Sequence, residues 1–251
     1  MHPHRSPRFF IEDINPDKQN IIITGEQFHH LKNVLRLNVG EEISVFDGKG
    51  NDFLAELKTI GKREALASIK QRLVPAGEKG FKTVLAQGIA KGEKMDMIIQ
   101  KATELGAASI IPFTTARTVP RLKDDKEGKK IERWQKISIE AAKQCERSIV
   151  PKIEPVKSYD EMLSGWDKYL KIILWEYAND LLLKEILNTI KGSNYPGIIV
   201  VVGPEGGLSE EEILLAERHG FLPVRLFSNI LRTETAAIAI LSIIKYELGL
   251  R

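Results

Sequence analysis

Residues 198–202 read IIVVV, five β-branched side chains in succession. A strand with one wet face alternates apolar and polar residues, so a run that is apolar on both faces belongs inside a parallel sheet covered by helices. The chain leaves this run through Gly203-Pro204-Glu205-Gly206-Gly207. Ser209, with Glu212 three residues on, then forms the capping-box pattern that opens a helix. The unit is strand, glycine loop, helix. Such loops lie at the carboxyl ends of parallel strands, where open α/β sheets bind ligands, and glycine lets backbone amides and carbonyls approach a ligand closely.

The charge of the loop narrows the ligand. Phosphate-binding loops present N–H groups and usually a lysine, but here the G-x-x-x-x-G-K-[ST] spacing is missing and Glu205 sits in the middle. A phosphate is disfavoured; a ligand with hydroxyls, an adenine edge or a positive charge suits an acid beside exposed backbone. A tight connection with a solvent-facing glutamate fits the same residues.

Strands and helices alternate around this unit. Strands are expected at 82–89, 109–113, 169–175, 198–202 and 223–227, and helices at 93–105, 131–147, 179–190, 209–219 and 233–248. That alternation implies an α/β fold with a mostly parallel sheet between helices. Residues 8–72 read differently, as short strands at 9–11, 21–24, 42–46, 51–57 and 66–71. A hairpin turn lies at Asp47-Gly48-Lys49-Gly50, and one helix over 25–35 has Phe28, Leu31 and Leu35 at helical spacing. The pattern changes at Val74-Pro75-Ala76-Gly77, which reads as a linker, so two domains are expected, 1–73 and 78–251.

With 251 residues, both regions can bury a core. No apolar run approaches the roughly 20 residues that cross a bilayer, and MHPHRSPRFF has no secretory apolar stretch, so a cytoplasmic protein without membrane partners is expected. Cys145 is the lone cysteine, and the adjacent His29 and His30 point to different helix faces with no third ligand nearby, so neither a disulfide nor a metal site is expected. The net charge of +3 excludes a general electrostatic attraction to nucleic acid and leaves local basic surfaces. Arg5, Arg8 and Arg36 are candidates. The segment with Arg117, Arg121, Lys123, Lys126, Lys129, Lys130 and Arg133 also holds Asp124, Asp125 and Glu127 and reads as a solvated loop.

A second loop rich in functional groups follows the last strand. In LFSNILRTETAAIAI, residues 226–240, the side chains of Ser228, Asn229, Arg232, Thr233, Glu234 and Thr235 crowd a strand-to-helix junction, and Ala236, Ala237 and Ala239 leave a small-residue helix face. Two loops at one sheet edge can enclose one ligand. A surface ion pair of Arg232 with Glu234 fits these residues too.

Six ordered blocks now resemble one family: RFF at 8–10, HHLKNVLRLNVGEEISVFDGKG at 29–50, KGEKMDMIIQKATELG at 91–106, EAAKQCERSIVPKI at 140–153, GPEGG from Gly203 and ILRTETA from Ile230. They are similar to the RsmE family of 16S ribosomal RNA (uridine N3) methyltransferases, in the SPOUT (α/β-knot) superfamily. Two positions depart from that pattern, Glu146 and Phe227, where members commonly carry glycine.

The resemblance implies a small N-terminal PUA-like β-barrel for RNA and a C-terminal trefoil-knotted parallel sheet flanked by helices, where periodicity alone would lead to an ordinary doubly wound sheet. It implies S-adenosylmethionine as methyl donor, a homodimer, and methylation of a uridine N3 in 16S rRNA of the small ribosomal subunit. On that reading Gly203, Glu205 and Gly206 form one wall of the cofactor pocket, Leu226, Ser228, Ile230 and Leu231 the facing wall, and Glu176 a third side, with the sulfonium charge making an acid tolerable. Arg232 would stabilise negative charge on the uracil, oriented by Glu234, while Arg8, Arg36 and Arg147 would contact the RNA. An NAD- or nucleotide-binding protein would need G-x-G-x-x-G or a Walker lysine, and neither is present. A non-catalytic RNA-binding module would explain the barrel but not two ligand-type loops.

Overall fold

The computed structural model describes residues 6–73, 80–115, 124–178, 183–190 and 193–249. The expected linker at 74–77, Arg5, Arg117, Arg121, Lys123 and the first residues of the helix expected from 179 lie outside them. Contacts divide the chain into two compact units, Met1–Glu78 with Ala142–Val150, and Lys79–Ala141 with Pro151–Arg251.

In the first unit, β1 (Arg8–Phe10) and β2 (Asn20–Ile23) precede α1 (Gly25–His29), which runs on into one π-helical turn, His30–Val34. Then come β3 (Glu42–Phe46), β4 (Asp52–Ile60) and β5 (Ala65–Leu73). The sheet order is β1-β3-β4-β5-β2, antiparallel except for β1 beside β3. Register shifts between β4 and β5, after Leu54 and after Leu57, bend the sheet over Phe9, Ile23, Leu31, Ile43, Val45 and Leu57. Among the described residues the sheet does not close, since β1 and β2 remain its edges; it is a curled half-barrel.

The π-turn changes one sequence expectation. An unbroken helix would put Leu35 beside Phe28 and Leu31, but the Leu35 N–H reaches the carbonyl of His30, five residues back, and the added residue swings Leu35 out to 39% exposure while Leu31 stays fully buried. Arg36 follows with a left-handed φ of 53°. The returning residues 142–150 complete this unit: Gly50 N–H donates to Ser148 O at 3.1 Å, and the Ser148 hydroxyl donates to Asp52 Oδ2 at 2.9 Å. Glu146, one of the two departures from glycine, holds a φ of 63°, the backbone state that glycine takes most cheaply.

The second unit contains β6 (Lys82–Gly88), α2 (Glu93–Glu104), β7 (Ser109–Thr114), α3 (Asp124–Gln144), β8 (Lys152–Ile153), β9 (Lys157–Ser158) and α4 (Tyr159–Leu163). After them come β10 (Leu170–Leu174), α5 (Leu183–Asn188), β11 (Gly197–Val202), α6 (Glu210–Arg218), β12 (Leu222–Val224) and α7 (Thr233–Glu247). The order is β12-β10-β11-β6-β7-β8, with β9 also on β7, and every pairing is parallel. All six residues of β11 are buried, as a strand covered on both faces requires. One apolar layer gathers residues of α2, α3, α5 and α7, and the other gathers those of α4 and α6. The chain therefore enters β12 from one layer and must cross the strand ends to reach α7 in the other.

Candidate functional site

Three adjacent strands, β12, β10 and β11, end side by side, and the loops leaving them enclose a cavity of about 430 Å³. Its walls are 203–208 after β11, 225–233 after β12, and Leu174, Trp175 and Glu176 at the end of β10; Lys94, Val202, Val224 and Ala236 complete it. The two loops singled out in the sequence are thus not on neighbouring strands: β10 lies between them, which widens the cavity and brings in Glu176. Every cofactor residue expected from the sequence lies on this lining, namely Glu176, Gly203, Glu205, Gly206, Leu226, Ser228, Ile230 and Leu231, and so does Arg232.

The glycine loop is a tight turn, in which Gly207 N–H donates to Pro204 O at 3.0 Å. Gly207 has a φ of +69°, and a Cβ there would stand 3.6 Å from Glu176 Oε1. The expected capping box is present: Ser209 Oγ accepts the Glu212 N–H at 3.2 Å and Glu212 Oε2 accepts the Ser209 N–H at 2.8 Å. A buried polar pair ties the loop to α7. The Thr233 hydroxyl donates to Gly203 O at 2.6 Å, and Gln87 Nε2 donates both to Thr233 Oγ1 and to Gly88 O, each at 2.9 Å. Gln87 is fully buried and Thr233 nearly so, and donors with so little access to water hold a crossing firmly.

Glu205 is turned towards α2. Its Oε1 accepts the Lys91 N–H at 2.9 Å and lies 3.5 Å from Lys94 Nζ, whose other neighbour is Glu234 Oε2 at 4.0 Å. Burial alone would raise the Glu205 pKa, but the Lys91 N–H, its own backbone N–H and the Lys94 ammonium hold it below the usual carboxylate range. Glu234, expected to orient Arg232, has Lys94 as its charged neighbour here. Glu234 faces Lys94 with a side chain only 14% exposed, whereas Arg232 is the exposed N-cap of α7 and lies on the cavity lining. Gln87 and Lys94 were missed as site residues. Gln87 had a signal in the sequence, a polar side chain inside an apolar strand, and Lys94 lies within one of the matching blocks.

The expected RNA contacts separate. Arg8 is not a solvent-facing anchor: its guanidinium pairs with Asp52 at 2.8 Å, with the two side chains 12% and 6% exposed, donates to Arg147 O at 3.0 Å and lies 4.3 Å from the Phe46 ring centre. Burial beside a carboxylate commits it to structure. Arg36 is exposed and Arg147 half-buried. His30 packs edge-on to Phe9, and His29 is exposed. Among the described residues, no cluster of His, Cys, Asp or Glu is arranged to hold a metal ion and no helix is long and apolar enough to cross a membrane.

Glycine loops closing a cavity over the carboxyl ends of parallel strands make this a ligand-binding α/β domain. Residues 77–245 match the family model of an RNA methyltransferase domain, and residues 23–70 match that of an RNA methyltransferase PUA domain. The chain is 37% identical over 250 residues to the ribosomal RNA small subunit methyltransferase E of Bacillus subtilis, covering 96% of each. The Neisseria gonorrhoeae protein of that name, solved bound to S-adenosylmethionine, is 33% identical with a TM-score of 0.84, over 96% of this chain and 98% of that one. A putative methyltransferase from Legionella pneumophila, also solved with the cofactor, is 33% identical with a TM-score of 0.83 over the same shares. The chain belongs to the RsmE family of ribosomal RNA methyltransferases, and its catalytic sheet is the trefoil-knotted sheet of the SPOUT fold.

Proposed function

We propose that this protein methylates the N3 position of a uridine in 16S rRNA of the small ribosomal subunit, with S-adenosylmethionine as donor. The observation that carries the reading is the three-loop cavity with Arg232 on its lining. Its volume falls within the roughly 300–1,000 Å³ of small-molecule sites. The backbone of 203–207 suits an adenine edge, Glu176 suits ribose hydroxyls, and Leu208, Leu226 and Ala236 supply apolar surface. The residues present fit the cofactor.

Bound there, S-adenosylmethionine supplies an electrophilic methyl group. The chain has three tasks: to hold the uridine so that N3 approaches in line, to keep its imide edge unpaired, and to favour the deprotonated imide. That anion spreads its charge over the two flanking carbonyl oxygens. Arg232, with planar donors and no ion pair among the described residues, would stabilise either oxygen as charge develops. Residues 1–73 serve as the PUA-like RNA-binding region and 78–251 as the methyltransferase. Arg36 and Arg147 meet the RNA backbone. The protein works as a homodimer in the cytoplasm; Tyr246, Ile230 and Phe227 are 85%, 73% and 47% exposed on α7 and the loop before it, apolar surface that a second copy would cover.

Arg232→Ala is the test. It should lower the single-turnover rate at saturating RNA by about a hundredfold, as loss of one preorganised donor does, while leaving S-adenosylmethionine affinity within about twofold. An unchanged saturated rate with weaker RNA binding would make Arg232 an anchor only. Primer extension across 16S rRNA from a deletion strain identifies the nucleotide.

A further inference from the structure

The acid of the glycine loop has a position that a ligand-binding role does not explain. A five-residue loop with three glycines is costly to order, because glycine has the most backbone freedom to lose. The base of this loop is tied by the Thr233 hydroxyl to Gly203 O and by the turn bond from Gly207 to Pro204. At its tip the Glu205 carboxylate meets the N–H of Lys91, two residues before α2, and the ammonium of Lys94 in the first turn of that helix.

That helix start lacks what a helix normally supplies for itself. The N-cap of α2 is Gly92, with a φ of 58° and no side-chain cap. Glu205 reaches across from another loop to take the N–H of Lys91, the residue just before that N-cap, which fixes the chain as it enters α2 and sets the carboxylate near the positive end of the helix dipole. Lys94, in the first turn of α2, lies 3.5 Å from Glu205 and 4.0 Å from Glu234, so one ammonium stands between α2, the glycine loop and the first turn of α7. All three border the cavity.

Resting on the cofactor reading above, we infer that Glu205 is a positioning residue, a clasp that holds loop 203–207 in its binding shape through Lys91 and Lys94, and not a counter-charge to the sulfonium. The two roles separate by ligand. A clasp shapes the cavity for any occupant, so Glu205→Gln should weaken S-adenosylmethionine and the uncharged S-adenosylhomocysteine by the same factor, about tenfold. A counter-charge would be felt by the sulfonium alone.

The experiment is calorimetric titration of both ligands into the unaltered protein, Glu205→Gln, Lys94→Met and the double variant, with melting curves to confirm that each folds. The clasp predicts equal losses for the two ligands and a loss in the double variant smaller than the sum of the single losses, because the two changes release the shared Glu205–Lys94 contact. A larger loss for S-adenosylmethionine than for S-adenosylhomocysteine, additive losses, or wild-type affinity in Glu205→Gln would each overturn it. Failure of the unaltered protein to bind either ligand would overturn the cofactor reading and this inference with it.

Discussion

Gly88 is where the catalytic sheet and the cofactor loop meet with no room between them. It ends β6, is buried, and has none of the left-handed backbone that would penalise alanine on conformational grounds. A Cβ added there would stand 2.4 Å from Pro204 N, 2.5 Å from Pro204 Cδ and 2.9 Å from the Gly203 carbonyl carbon, whereas ordinary contact begins at 3.4 Å. The obstacle is backbone and a proline ring, so no side chain can rotate away. Gly88→Ala must therefore push Pro204 outwards by about 1 Å, the shortfall between 3.4 and 2.4 Å. Overpacking of this kind costs about 2 kcal/mol, which in a domain of this size lowers the melting temperature by about 4–8 °C. The same shift moves one wall of the cofactor cavity, and S-adenosylmethionine affinity should fall about ten- to hundredfold. Differential scanning calorimetry and isothermal titration measure the two effects. Gly128→Ala is the control: this glycine lies within α3 with nothing within 4 Å of an added Cβ, and alanine there should stabilise by up to about 1 kcal/mol. A Gly88→Ala protein that melts and binds as the unaltered one does would refute the argument that the loop rests on β6.

Asp52→Ala leaves the buried Arg8 guanidinium uncompensated and should destabilise the protein by about 3–5 kcal/mol in denaturant unfolding; a loss under about 1 kcal/mol would show that the pair is not buried in solution. Arg36→Ala should weaken RNA binding and lower the slope of log affinity against log salt by about one, with no change in cofactor affinity; an unchanged slope removes Arg36 from the phosphate contacts. The Glu205 carboxyl is held below its usual range, so its stabilising effect is full above that range and disappears only as pH falls through the lowered value. The melting-temperature advantage over Glu205→Gln should accordingly persist at neutral pH and shrink on strong acidification; an advantage that grows as pH falls would reverse the sign.

Local sequence determined the elements. The β-branched run at 198–202 became a fully buried central strand, and Ser209 with Glu212 capped α6, because burial on both faces and helix capping depend on residue types a few positions apart. The cavity residues were legible too, since glycine loops at strand ends and the ordered blocks pointed to them. Tertiary structure decided what a side chain meets far along the chain. Arg8 and Arg36 are both arginines in basic stretches, but only Arg8 has Asp52 and the Arg147 carbonyl around it. Glu205 and Lys91 are 114 residues apart, so nothing local could reveal that the acid of the glycine loop meets the backbone just before α2. The same holds for the strand order. Short-range patterns specify strands without specifying neighbours, and β10 came to lie between β11 and β12 because the crossover connections place it there.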